Sequence, residues 1–431
     1  MSPQRATSSV PPDGAGAAAG HLRVIPGGGG RPRLPAGRVT KPDRVSTKTA
    51  IVALVGTLCV IGLVMVLSAS AYTSEQYYGS AWTIFERQVL WMALGAIAMF
   101  ATAHVRYERW RRFRLVLLGG TFVLLLAVLV PGLGVSAGGS SRWIGVGLLR
   151  LQPSEVMKLA LAVFAADLLT RRADRTHETT AVVVPMLVVL ATAAVLVLEQ
   201  PDMGTAMVLV CITFTLLYAG GVALRSVVKA LSATAALGIV VGLAQPYRRD
   251  RLLSFINPFA HASGSGYQVV QSLVGLGSGH LFGLGLGGGR EKWGLLPNAH
   301  TDFIFSVIGE ETGLIGSLFV LVLFVALAWY GMRAASRAPD RFGGLLAVAV
   351  TAWITSQAVI NIGAVVGLLP VTGIPLPFVS FGGSSLVITM AAAGILVNVA
   401  GRECRTGATR SVPGGPTKAA RRRADPRDAA R

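Results

Sequence analysis

The chain has 431 residues, of which 52% are hydrophobic and only 14% charged. Soluble proteins carry about 25% charged residues, so the composition excludes an ordinary soluble domain and points to a chain that crosses a membrane many times. The net charge of +19 is concentrated at the two ends, which beside membrane spans marks the cytoplasmic face rather than a nucleic-acid binder.

The first 49 residues hold 8 Lys/Arg against 2 acids, and residues 400–431 hold 9 against 3. Both stretches are rich in Gly, Pro, Ala and Arg and lack apolar periodicity. Residues 1–48 and 401–431 therefore read as disordered basic cytoplasmic tails flanking a membrane domain at 49–400. Ala69-Ser70-Ala71 imitates a signal-peptidase site. The apolar run before it is about 20 residues long, whereas a signal h-region is about 7–15, so it reads as a retained first span.

Ten apolar runs are long enough to cross a bilayer: 49–69, 85–103, 115–133, 153–169, 180–198, 203–221, 227–244, 303–330, 342–368 and 379–400. The expected fold class is an all-α polytopic membrane protein. Thirteen Lys/Arg occupy the connections 104–114, 171–178, 220–229 and 331–341, against seven in 133–152 and 245–302, which together are longer. The positive-inside rule then puts both termini in the cytoplasm.

The outer connections hold the unusual sequence. Ser141-Arg142-Trp143-Ile144-Gly145 leads to Gln152-Pro153-Ser154-Glu155, where Pro153 suits a first helical position. Glu155 and Lys158 then share one helix face about a turn below the outer surface. An ion pair inside a span tends to face the bundle interior or a wet cavity, which favours a functional role over the alternative of a helix-fixing pair, since such pairs add little stability. Glu199-Gln200-Pro201-Asp202 separates two spans by a short turn, and its acids suit a helix cap.

The long connection 245–302 carries Arg248, Arg249 and Arg251 before an apolar stretch, which reads as an amphipathic segment in the outer interface. Arginines on the outer side suggest an anionic partner such as a lipid phosphate, or else ordinary headgroup snorkelling. The loop at 370–378 holds three prolines and precedes the small residues Gly382, Gly383, Ser384 and Ser385. Small residues there allow close helix approach.

PNAHTDFIFSVIGEETG, residues 297–313, is the stretch around which the others are arranged. It sets His300, Asp302, Glu310 and Glu311 at the mouth of an apolar run, where a carboxylate is costly unless it faces water, a cavity or a partner. Asp302 is either that functional carboxylate or the N-cap of the following helix. Phosphate-loop, HExxH, CxxC and GxSxG motifs do not occur, and the three cysteines lie far apart, with neither disulfide nor metal spacing.

Together GLVMVLSAS (62–70), RWIGVG and QPSEVMK (142–158), QPDMGT (200–205), GYQVVQS (266–272), LPNAHTDFIFSVIGEETG (296–313) and LPVTGIPLPFVSFGGSS (369–385) resemble the FtsW/RodA/SpoVE family, the SEDS proteins of bacterial cell-wall synthesis. The resemblance covers about residues 50–400, in the family's order and spacing. Its PVTGIPLPF loop is closer to the FtsW branch than to RodA. Phe381 stands where many relatives have tyrosine. The resemblance implies ten spans and a peptidoglycan glycosyltransferase that polymerises lipid II outside the cytoplasmic membrane, in septal wall synthesis during division. It also implies a class B penicillin-binding protein transpeptidase and other division proteins as partners, with no role for nucleic acid.

By the same resemblance, Asp302 is the essential aspartate. Arg142, Trp143, Glu155, Lys158, Gln268, Gln271 and His300 are substrate-binding positions. The outer arginines Arg248, Arg249 and Arg251 join them as candidates for the lipid phosphates. A sugar hydroxyl is a poor nucleophile, so a positioned carboxylate base helps it attack the anomeric carbon. Cations must stabilise the departing diphosphate. A divalent cation is able to share that work, but no ligand cluster demands one and no other cofactor is implied. Two rival readings stand beside the polymerase: a lipid II flippase built around Glu155 and Lys158, and a non-catalytic scaffold acting through the basic tails. The RodA-type elongation polymerase is a third.

Overall fold

The computed structural model describes residues 46–402, except 138–139, 147–148 and 265. Apart from residues 46–48, 401 and 402, the two basic tails lie outside the described residues. Helices α1 (Thr47–Tyr78), α2 (Thr83–His104) and α3 (Glu108–Leu129) come first. A small sheet follows, with strands β1 (Gly134–Ala137), β2 (Ser140–Val146) and β3 (Leu149–Leu151). Next are α4 (Pro153–Arg171), α5 (Thr179–Leu198), α6 (Met203–Ala219) and α7 (Leu224–Ala244). Helices α8 (Pro246–Ile256) and α9 (Tyr267–Ser278) occupy the long connection, and α10 (Ile304–Ser336), α11 (Arg341–Val365) and α12 (Ser384–Ala400) complete the chain.

The ten expected apolar runs each coincide with one of α1 to α7 and α10 to α12. Seven of these, α1, α2, α3, α5, α7, α10 and α11, are long and apolar enough to cross a membrane. Helices α6 and α12 are apolar but shorter, and α4 carries buried Glu155, Lys158 and Asp167. The protein is thus a polytopic helical membrane protein. The sheet is an addition to the expected all-helical outline. Its strands pair antiparallel in the order β1-β2-β3, with Val135 opposite Trp143 and Ile144 opposite Leu151. The longest strand, SSRWIGV, runs from polar to apolar without alternating, so period-2 patterning does not reveal it.

Helix ends follow local chemistry. Ser46 Oγ accepts from Thr49 N, Asp202 Oδ1 from Thr205 N and Asp340 Oδ2 from Gly343 N, capping α1, α6 and α11. Pro153 opens α4 as expected. Gly79, at φ 70°, closes α1 in the left-handed conformation.

Burial places α11 at the centre and α7 at the rim: 78% of the most apolar window of α11 is buried, against 11% for α7. The outward faces of α2, α3, α7 and α10 expose large aliphatic and aromatic side chains, which suits lipid rather than water. Helices approach closely where glycine faces a neighbour. A Cβ on Gly62 would stand 2.7 Å from Phe378 O, so only glycine lets α1 lie against the proline-rich loop. On the opposite side of the bundle, buried Asp167 ties α3 to α4. It pairs with Arg111, Arg114 and Arg171 at 2.5, 2.7 and 2.8 Å.

The expectation of ten crossings with both termini cytoplasmic predicts an external α7 to α10 connection and an internal α10 to α11 turn. In a cysteine-free background, a cysteine at Ser263 is therefore expected to react with an impermeant maleimide on intact cells. One at Ser336 should react only after permeabilisation. The reverse pattern would overturn the orientation.

Candidate active site

Asp302 ends a tight turn in which Thr301 N and Phe303 N both donate to Asn298 O, at 3.0 and 3.3 Å. The N-cap of α10 is Phe303, and no side chain caps that end. The carboxylate of Asp302 is thus not spent on the helix, and the capping alternative falls away. The turn is pinned from both sides. Asn361 Nδ2 of α11 donates to Asp302 O at 2.7 Å and to Ile374 O at 2.8 Å. Phe381 N donates to His300 O at 3.0 Å, and the His300 and Phe381 rings meet edge to face with centroids 5.9 Å apart.

These bonds bring the 298–302 turn against the proline-rich loop. Gly373 there has φ 74°, and a Cβ on it would lie 3.6 Å from Asp302 Oδ2 and 3.9 Å from Arg142 Nη1. The absence of a side chain at this position keeps the mouth of the site open. Arg142, on β2, donates from Nε to Gln200 O at 2.9 Å and from Nη2 to Pro201 O. Arg251, on α8, donates from Nη1 to Val371 O at 3.0 Å. Two guanidinium groups from distant segments are thereby drawn to one carboxylate.

Burial raises the pKa of half-buried Asp302 from 3.8 to about 6; Arg142 and Arg251 oppose that rise and Asp202 adds to it. The result is a carboxylate ionised at neutral pH yet basic enough to take a proton. Burial lowers His300 to about 4, which leaves its imidazole neutral at pH 7.

Asp202 does more than cap α6. Its Oδ2 also accepts from Gln152 Nε2 at 3.0 Å, Ser154 Oγ at 3.1 Å and Thr205 Oγ1 at 2.8 Å, joining α4 to α6. With those oxygens occupied, and with guanidinium groups as the nearest opposite charges to Asp302, this donor set does not fit a divalent cation. Among the described residues no group of three or more His, Cys, Asp or Glu is placed to hold a metal.

Glu155 and Lys158 pair at 2.7 Å inside the bundle, at 1% and 0% exposure. Lys158 Nζ also donates to Gln357 Oε1 at 2.7 Å and lies 5.0 Å from the Trp353 ring centroid. Gln357 Nε2 passes the connection on to Pro375 O at 2.9 Å. The pair thus props the proline-rich loop from below and does not line open surface.

Of the remaining predicted residues, Trp143 is half-buried beside Arg142 on β2, and Arg249 is exposed on α8. The side chain of Arg248 lies outside the described residues. Gln268 and Gln271 are half-buried on α9, and among the described residues no hydrogen bond joins them to the Asp302 cluster.

Sequence reasoning passed over Asn361, Gln357 and Gly373. A signal existed for two of them. Trp353, Gln357 and Asn361 recur every four residues within an apolar run, so they share one face of α11. Removing one partner of a buried pair leaves an uncompensated charge that costs about 3–5 kcal/mol. K158M is accordingly expected to lower the thermal midpoint markedly in detergent, and E155Q/K158M to lower it by less than the two single changes summed.

Comparison with known proteins shows the family. The FtsW/RodA/SpoVE family model, described as cell cycle protein, matches residues 48–404. Stage V sporulation protein E of Bacillus subtilis is 42% identical over 344 residues, 79% of this chain and 93% of that protein. The probable peptidoglycan glycosyltransferase FtsW of Mycobacterium tuberculosis is 41% identical over 353 residues, 82% of this chain and 67% of that protein. A chain in a solved structure, described as the structural coordination of polymerization and crosslinking by a peptidoglycan synthase complex, superposes with a TM-score of 0.69 at 27% identity. It covers 81% of this chain and 96% of its own length. The residues matched by the family model include every element around Asp302, and the chain belongs to the FtsW/RodA/SpoVE family.

Proposed function

We propose that the protein is a peptidoglycan glycosyltransferase that polymerises lipid II at the outer face of the cytoplasmic membrane, with Asp302 as its general base. The observation that carries this reading is an uncapped, half-buried carboxylate with its pKa raised to about 6, acted on by Arg142 and Arg251. Asp302 takes the proton of the acceptor sugar 4-hydroxyl as its oxygen forms a bond to the anomeric carbon of the donor. The bond from that carbon to the undecaprenyl diphosphate breaks, and the leaving group carries away the electron pair. Arg142 and Arg251 stabilise its growing negative charge. Both guanidiniums are held by backbone carbonyls, so they are oriented before substrate arrives.

The same reading places ten crossings, two cytoplasmic termini and the α7 to α10 connection outside, where lipid-linked sugars are displayed. The relatives named FtsW and the PVTGIPLPF loop favour septal synthesis during division. The similar chain from a complex that couples polymerization to crosslinking favours a class B penicillin-binding protein transpeptidase as partner, alongside other division proteins. A flippase built on Glu155 and Lys158 loses its main support, because that pair is sealed and tied to Pro375 through Gln357.

D302N keeps size and packing and removes the base. Lipid II polymerisation by the purified protein with its partner, read as glycan on a gel, is expected to fall by about 10²–10⁴ while the protein remains monodisperse. Normal glycan from that variant would refute the assignment. In the unaltered protein the rate should hold above pH 6 and drop about tenfold per unit below it, as the raised carboxyl takes up its proton.

A further inference from the structure

A second group of buried charges lies on the loop that carries Asp302 and takes no part in the chemistry above. Helix α10 is broken at Gly313, whose φ is 70° and ψ −166°. The backbone bonds lost at the break are replaced by bonds to the α9 to α10 connection. Leu314 N and Ile315 N donate to His280 O and Leu281 O, at 2.9 and 3.3 Å. In return Leu284 N and Gly285 N donate to Glu310 O and Glu311 O, at 2.9 and 3.0 Å. The side chains of the same two glutamates hold the next part of the loop. Glu310 accepts from Arg290 N at 2.6 Å and Glu291 N at 3.3 Å. Glu311 accepts from Lys292 Nζ at 2.8 Å and from Ser68 Oγ of α1 at 2.7 Å, and Lys292 Nζ also donates to that Oγ at 3.0 Å. Trp293 packs on Tyr72 of α1, with centroids 5.5 Å apart.

All of these charged groups are buried. Desolvation makes such a pair a poor stabiliser, since apolar packing in its place often does as well. What the ions supply is a single geometry: a lysine, a serine and two adjacent carboxylates on α1, α10 and the loop. Ten positions beyond Lys292 the chain reaches Asp302, which Asn361 fixes from the other side.

We propose that Lys292, Glu310 and Glu311 form a latch that sets the position of Asp302, acting as positioning residues for glycosyl transfer. The proposal rests on the reading of Asp302 as base. A carboxylate displaced by about 1 Å loses on the order of 10² in rate, so the latch acts on turnover and leaves substrate binding alone.

The test measures kcat and KM for lipid II with the purified full-length protein and its partner. K292M is expected to lower kcat about 10–100-fold with KM changed by less than about twofold, and K292R, which keeps the cation, to restore kcat to within about threefold. A kcat for K292M equal to that of the unaltered protein would overturn the latch. So would a loss seen only in KM, or a K292R protein that melts normally yet stays as slow as K292M. Should K292M fail to fold, S68A removes one bond to Glu311 and leaves the ion pair. A several-fold fall in kcat at an unchanged melting temperature supports the latch, and an unchanged kcat overturns it. An active D302N protein would instead remove the base reading, and an inactive D302N beside a fully active K292M would remove the latch alone.

Discussion

The backbone carbonyls of Asp302 and Ile374 accept from one amide nitrogen, Nδ2 of Asn361. Asn361 is on α11, the most buried of the long apolar helices, so its side chain is held by the bundle and not by either loop. Because both of its amide protons are used, the 298–302 turn and the proline-rich loop are joined at a fixed separation. The approach of Gly373 to Asp302 and Arg142 follows from that join, and so does the way Arg251 reaches Val371. Loops at a membrane surface are ordinarily the mobile part of a protein. Here the two that meet at the carboxylate are referenced to the central helix.

The buried charges of the bundle and the amides beside them are matched by other side chains or by irregular backbone. Lys158 is matched by Glu155 and Gln357, and Gln357 by a loop carbonyl. Asp202 is matched by four donors from α4 and α6. On the opposite side Asp167 collects three arginines. Ion pairs of this kind add little net stability, but they specify which helix faces which. Lipid offers no hydrophobic drive to choose among helix pairings, so that selectivity has to come from such contacts.

Hydropathy was enough to find the long helices, because a bilayer demands about 20 apolar residues per crossing whatever the tertiary packing. Asp302 was legible for the same reason, as an acid where acids are costly. What stayed hidden depends on partners far along the chain. Lys292 meets Glu311 across a loop and a turn of helix, and no local spacing announces the pair. Arg251 and Arg142 were candidates, but nothing in sequence separated Arg251 from its neighbour Arg249, which is exposed on the same helix. Glu310 and Glu311 stood out as acids, and only the backbone exchange around Gly313 explains why they are adjacent. The sheet at 134–151 escaped notice because its longest strand, SSRWIGV, does not alternate apolar and polar residues.

The break at Gly313 also bears on how the molecule opens. In an unbroken helix each N–H is released singly as the end frays, and loops beside it open on their own. Here the loop supplies both donors and acceptors to the helix ladder, so neither the loop nor the first turns of α10 can open without the other. The stretch from His280 to Ile315 becomes one cooperative unit in the sense seen by native-state hydrogen exchange. Its amides, although part of a surface connection, are set to exchange together and slowly. The Asp302 turn between Leu296 and Phe303 sits inside that unit and shares its lifetime.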